Sequence, residues 1–178
     1  MTMVQRTHHA LGSHQGLTTL EQRFRFGGEG ATAAAIADVL LAAPLTGGES
    51  VFGDRPGEPG PRTNSSRTLR GFSPAPGFRF DVDLTHRDAG VFVVRFSQPG
   101  RNVPYLHGEL VWTVYDDDNG NAVFDEQINT AEALELVGEP LSGPRPSLRR
   151  WLFFRVGHKQ VMTRATNNMA ALLSRQAP

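Results

Sequence analysis

The chain predicts an α+β fold in which a curved antiparallel β-sheet wraps around a long C-terminal helix. Three observations predict it. Short alternating segments joined by tight turns fill residues 67–128, the mark of an antiparallel meander. One alternating segment and one short helical segment precede them. The last thirty residues then carry an apolar stripe at helical spacing, and so long an amphipathic helix needs a sheet to lie on.

Each element follows from its residues. Positions 1–16 hold three histidines and no apolar core of a signal peptide, so they are expected to be a disordered arm. Leu17–Phe26 alternates, with Leu20, Gln22, Phe24 and Phe26 on one face and Glu21, Arg23 and Arg25 on the other, as a half-buried strand does. Gly27, Gly28 and Gly30 break it. Ala31–Ala43 then sets Ile36, Val39 and Leu40 at helical spacing, and Pro44 stops the helix. Residues 45–65 are rich in Gly and Pro and read as a long mobile loop.

Strands are expected over Arg67–Phe72, Phe78–His86 and Val91–Ser97. The longest strand, Tyr105–Tyr115, puts Leu106, Leu110, Trp112 and Val114 on its apolar face. Asn119-Gly120 is a hairpin turn signal, and Ala122–Ile128 returns from it. Residues 129–137 fit either a short helix capped by Asn129 or another strand. Ser147 can cap the final helix, carried to Arg175, with Leu148, Leu152, Val156, Val161, Met162, Ala165, Met169, Leu172 and Leu173 near one stripe. Gly157 is the place where it bends. Residues 17–175 thus read as a single domain.

Composition narrows the function. There is no cysteine, so disulfides and thiolate metal sites are excluded. No apolar run is long enough for a membrane span, and the cytoplasm is the default location. All 18 acids lie in residues 1–144 beside 11 arginines, whereas residues 145–178 carry Arg145, Arg149, Arg150, Arg155, Lys159, Arg164 and Arg175 with no acid. A solvated basic face is the plainer reading of that segment. No aromatic ladder or nucleic-acid motif accompanies it, so no nucleic-acid partner is expected.

The order of elements resembles the START-like, or polyketide cyclase and dehydratase-like, helix-grip superfamily. There a strand and helices precede a six-stranded run, and a C-terminal helix closes a cavity over the curved sheet. The resemblance covers about residues 17–175 and rests on element order. The chain departs from it in having a Gly/Pro-rich segment where the superfamily commonly has a second short helix. It implies a hydrophobic small molecule as partner, polyketide-like or lipid-like, held in an internal cavity, with or without cyclase-like catalysis. The alternative is a structural or interaction protein with a filled core.

Candidate site residues are few. Gly28–Ala33 matches G-x-G-x-x-A, but the meander that follows is no dinucleotide-binding fold, and a strand-to-helix turn is the simpler reading. Asp116–Gly120 resembles part of a calcium loop, with Glu126 at its twelfth position. Its first position is Tyr115 and its flanks are strands, which favours a hairpin turn. Tyr105, His107 and Glu109 share one face of the longest strand and could act as acid and base. The apolar face lies opposite, so the trio should meet solvent or the partner subunit of a homodimer. His86 ends a strand on the face of Phe80 and Leu84, where it could stand at a cavity rim. The walls of the cavity are expected from Phe80, Phe92, Phe96, Leu110, Trp112, Met162 and Met169, aromatic and thioether side chains suited to an apolar ligand. Neither a metal nor a cofactor is expected.

Overall fold

The computed structural model describes residues 1–14, 17–42, 51, 58–63, 66–72, 80–97, 106–128, 134–136, 139–140 and 153–176. Side chains are described over 1–12, 19–42, 51, 84–95, 110–128 and 155–176. The order is β1 (Met3–His14), β2 (Leu17–Gly27), α1 (Ala33–Ala42), β3 (Glu58–Thr63), β4 (Ser66–Phe72), β5 (Phe80–Asp88) and β6 (Val91–Ser97). β7 (Leu106–Asp116), β8 (Ala122–Ile128), β9 (Leu134–Leu136) and β10 (Glu139–Pro140) follow. A π-helical turn (Phe153–His158) then leads into α2 (Lys159–Gln176). The strands form one sheet in the order β1-β2-β8-β7-β6-β5-β4-β3. β9 pairs with β7 beyond the end of β8, and β10 pairs with β9. Every described pairing is antiparallel, and the curved sheet grips α2.

Alternation decides which face is inner. Leu20, Phe24 and Phe26 of β2, Phe92 and Val94 of β6, Leu110, Trp112 and Val114 of β7, and Phe124 and Ile128 of β8 are buried in one cluster. Met162, Ala165, Met169 and Leu173 of α2 and Ile36, Val39 and Leu40 of α1 close it. Thr32 caps α1, its hydroxyl accepting a bond from the Ala35 amide at 3.2 Å, while the Asp116 carboxylate takes the Ala33 amide at 2.8 Å. The glycine-rich turn therefore presents its helix amide to the chain's own acid.

Tight turns fix the strand pairing. Gly90, at φ +70°, lies so close to the Val114 carbonyl that any Cβ there would collide with it, and its own carbonyl accepts the Val114 amide at 2.7 Å. In the β7–β8 turn Asp117 accepts bonds from the Asn119 and Asn121 amides at 3.0 and 2.9 Å and pairs with Arg25 at 3.2 Å. Its carboxyl is held below the usual value first by the Asn121 amide, so the calcium-like residues serve as a hairpin turn.

Three expectations change, and one open alternative is decided. The arm expected over residues 1–16 is strand β1, paired along the edge of β2. A bulge between Arg6 and His8 shifts its phase, so Val4 and Arg6 share a face with His9 and Leu11, and no simple period survives in the sequence. Within the stretch expected as a loop over 45–65, Glu58–Thr63 is β3. Pro59 and Pro61 are tolerated because β3 is an edge strand with a bulge between Pro59 and Arg62. Residues 45–50, 52–57, 64 and 65 of that stretch lie outside the described residues. The Leu134–Leu136 segment is a strand, β9. Val156 leaves the expected stripe. The helical phase that buries Met162, Ala165 and Met169 turns His158, four residues before Met162, inward and leaves Val156 44% exposed. The expected helix start, 147–152, lies outside the described residues.

Met162 is wholly enclosed between α2 and the sheet, so Met162→Ala is expected to cost about 2–5 kcal/mol while still folding. Urea denaturation followed by circular dichroism measures it; a cost within error of zero would mean that α2 does not bear on the core.

Candidate functional site

The inner face carries one row of side chains that crosses six strands. Register alignment sets His9 (β1) opposite Gln22 (β2), Gln22 opposite Glu126 (β8), Glu126 opposite Trp112 (β7), Trp112 opposite Phe92 (β6), and Phe92 opposite His86 (β5). Directly opposed residues share a face and sit within side-chain reach. The row is polar at both ends and aromatic at Trp112 and Phe92, inside an otherwise apolar core.

Glu126 is its centre, with 0% of its surface exposed. The Trp112 indole N–H donates to Oε1 at 2.9 Å, and the Gln22 amide donates to Oε2 at 2.9 Å. His158 Nε2, at the end of the π-helical turn, lies 2.8 Å from the same Oε2. Burial alone would push the Glu126 carboxyl up. The charge of His158 and the hydrogen bonds from His158, Trp112 and Gln22 outweigh it and hold the carboxyl below its ordinary value of 4.5. Arg6 adds to this field from β1. Its guanidinium stands 4.9 Å over the Phe24 ring and donates to the Lys159 carbonyl at 2.7 Å and to the Thr163 hydroxyl. Burial lowers the Arg6 pKa, opposed by Glu126.

The other end of the row is unsatisfied. The His86 ring stacks on Phe92, with centroids 4.9 Å apart and planes 23° from parallel. Its Nε2 is buried and has no hydrogen-bond partner among the described residues, and neither has Gln22 Oε1. Almost all buried polar atoms in folded proteins are partnered, so two orphans on one row need an explanation.

The sequence-predicted residues fall into three groups. Phe92, Leu110, Trp112, Met162 and Met169 are buried together in the core cluster, and His86 joins the row through Phe92. Phe80, Phe96, His107 and Glu109 lie in β5, β6 and β7, with their side chains outside the described set. His107 and Glu109 occupy the alternate register positions, opposite Glu135 and Arg95. Tyr105 lies outside the described residues. Sequence reasoning missed Glu126 as a buried acid, and it missed His158 and Gln22. The signal was there for two of them: Gln22 and Glu126 stand at the apolar parity of their strands.

No family model matches the chain, and no curated protein matches it. Solved structures do. A conserved protein from Geobacillus kaustophilus is 10% identical, with a TM-score of 0.53 over 92% of this chain and 97% of that one. Protein Ms6760 from Mycobacterium smegmatis is 18% identical, with a TM-score of 0.53 over 95% and 97%. The chain shares the fold of these two proteins, a curved antiparallel sheet gripping a C-terminal helix. A STAR-related lipid transfer protein from Xanthomonas axonopodis is also similar, at 17% identity and a TM-score of 0.48 over 93% and 98%.

Replacing Glu126 with Leu strands three buried donors and is expected to cost about 3–5 kcal/mol. Because the folded carboxyl lies below its unfolded value, the stability it contributes is fully present above about pH 4.5 and is lost as pH falls through the lower, folded value. Denaturation midpoints measured on descent from neutral pH should therefore fall more steeply for the native chain than for Glu126→Leu. Equal acid limbs would show that Glu126 is not the titrating group.

Proposed function

We propose that the chain binds a hydrophobic small molecule bearing a hydroxyl or carbonyl oxygen, held between the inner face of the sheet and α2. The orphaned Nε2 of His86 carries this reading. It is a buried polar atom stacked against an aromatic wall, able to donate to a carbonyl or accept from a hydroxyl. Gln22 Oε1 offers an acceptor farther along the row, on β2. Four strand spacings separate the two residues, about 19 Å along the sheet, a span suited to an elongated polyketide-like or lipid-like body. Phe92, Leu110, Trp112, Met162 and Met169 are the apolar wall in this reading, joined by Phe80 and Phe96.

Cyclase-like catalysis on that ligand is the finer form of the proposal. The 2.8 Å contact between Glu126 and His158 favours it, since a carboxylate that orients an imidazole equips it for proton transfer. In that form His158→Gln abolishes turnover and leaves binding intact.

The binding test uses Trp112 as reporter in a Trp151→Phe background, so that one indole emits. Titration with 2-naphthol, a long-chain alcohol and 2-methylnaphthalene is expected to quench or shift its emission. His86→Phe should weaken 2-naphthol about two- to tenfold, the worth of one hydrogen bond, and leave 2-methylnaphthalene unchanged. If no probe binds, the interior is a filled core and the reading fails.

A further inference from the structure

A concavity lies outside the gripped interior, between β1 and the solvent side of α2. It is a groove of about 610 Å³, in the size range of small-molecule sites. Arg6, Arg155, Lys159 and Arg164 line it together with the amides Gln160 and Asn167. Among its described lining residues there is no Asp or Glu. Arg155, Lys159 and Arg164 are exposed on α2 and the turn before it, and Arg155 and Lys159 are one helical step of four apart. Arg6 comes from the opposite wall and is fixed there, because its Nη2 bonds the Lys159 carbonyl and the Thr163 hydroxyl.

Like charges at Arg6, Arg155 and Lys159 around one concavity repel one another, and the core does not require them there: the buried stripe of α2 runs through Met162, Ala165, Met169 and Leu173 on its other side. A solvated basic face would spread such charges over a convex surface. Here they converge from two elements with amide donors between them, and the arginine forks match the oxygens of a phosphate in geometry as well as charge. We infer that this groove binds a phosphate group, with Arg155 as the oxygen-clamping fork and Arg6 and Lys159 as neutralising charges. The site shares no residue with the row from Gln22 to His86, so it stands or falls separately from the binding of an apolar ligand.

The phosphate can belong to a free anion or to a lipid headgroup, and the experiment separates these sources. The full-length chain is titrated with inorganic pyrophosphate by calorimetry, and co-floated with phosphatidylcholine vesicles with and without phosphatidic acid. Binding is expected in at least one arm, falling with added salt. The exposed pair Arg155→Gln/Lys159→Gln should weaken it by about tenfold or more, with the thermal midpoint unchanged. Pyrophosphate binding assigns a soluble phosphate; binding only to phosphatidic acid vesicles assigns a headgroup. The inference is overturned if neither probe binds, or if the double variant binds as tightly as the native chain. In either event the 2-naphthol titration is unaffected.

Discussion

A carboxylate sealed in an apolar interior is the constraint on which the rest of this structure depends. An isolated charge at the Glu126 position would be prohibitively costly to bury. Three donors make it tolerable, and they come from three separate elements: Gln22 from β2, Trp112 from β7 and His158 from the turn that launches α2. β2 must therefore lie beside β8 although 94 residues of chain lie between the end of one at Gly27 and the start of the other at Ala122. α2 must enter over that junction. The hydrogen bonds to Oε1 and Oε2 fix where the turn before α2 enters over the sheet.

The same interaction explains why the C-terminal helix begins where it does. His158 closes a π-helical turn, a wider winding often found where a helix is adjusted around a functional side chain. Its inward direction follows from the phase of Met162, Ala165 and Met169, so the polar anchor and the apolar stripe lie on one side. Arg6 extends the linkage outward. It stacks on Phe24, feels the field of Glu126 and bonds the first turns of α2, which joins the edge strand to the helix across the interior's margin. The Thr2 amide donates to the Ser174 hydroxyl at 2.7 Å near the other end of α2, so β1 braces the helix along its length.

Much of the fold was legible in the sequence because the meander alternates cleanly. Phe92, Leu110, Trp112 and Val114 announced the inner face, and the Asn119-Gly120 turn announced the pairing of β7 with β8. What was hidden was hidden for physical reasons. The bulge after Arg6 destroyed the period of β1, and the two prolines of β3 are permitted only because an edge strand has a free side. The candidate site was legible in its aromatic half, through Trp112, Phe92 and His86, and illegible in its ionic half. Gln22 and Glu126 occupy apolar positions in their strands, but a single polar residue at such a position has no meaning until its partners are known. Those partners, Trp112 and His158, are 14 and 32 residues from Glu126, and only the sheet brings them together.

Charge distribution joins the two ends of the argument. The acids fall entirely in residues 1–144, and seven cations occupy the last thirty-four residues, so attraction between sheet and helix is built into the sequence. Yet the close described ion pairs of the sheet, Arg23 with Asp125 and Arg25 with Asp117, are formed within the acidic part itself. Glu126 meets the C-terminal segment from within the sheet, and it does so through His158. Arg155 and Lys159 are exposed beside Arg6, in a groove whose described lining brings no carboxylate. The basic segment is thus divided in two by the helix itself. One histidine turns inward to hold the fold's buried acid, while Arg155 and Lys159 on the outer side stay exposed, where negative charge from solution can reach them.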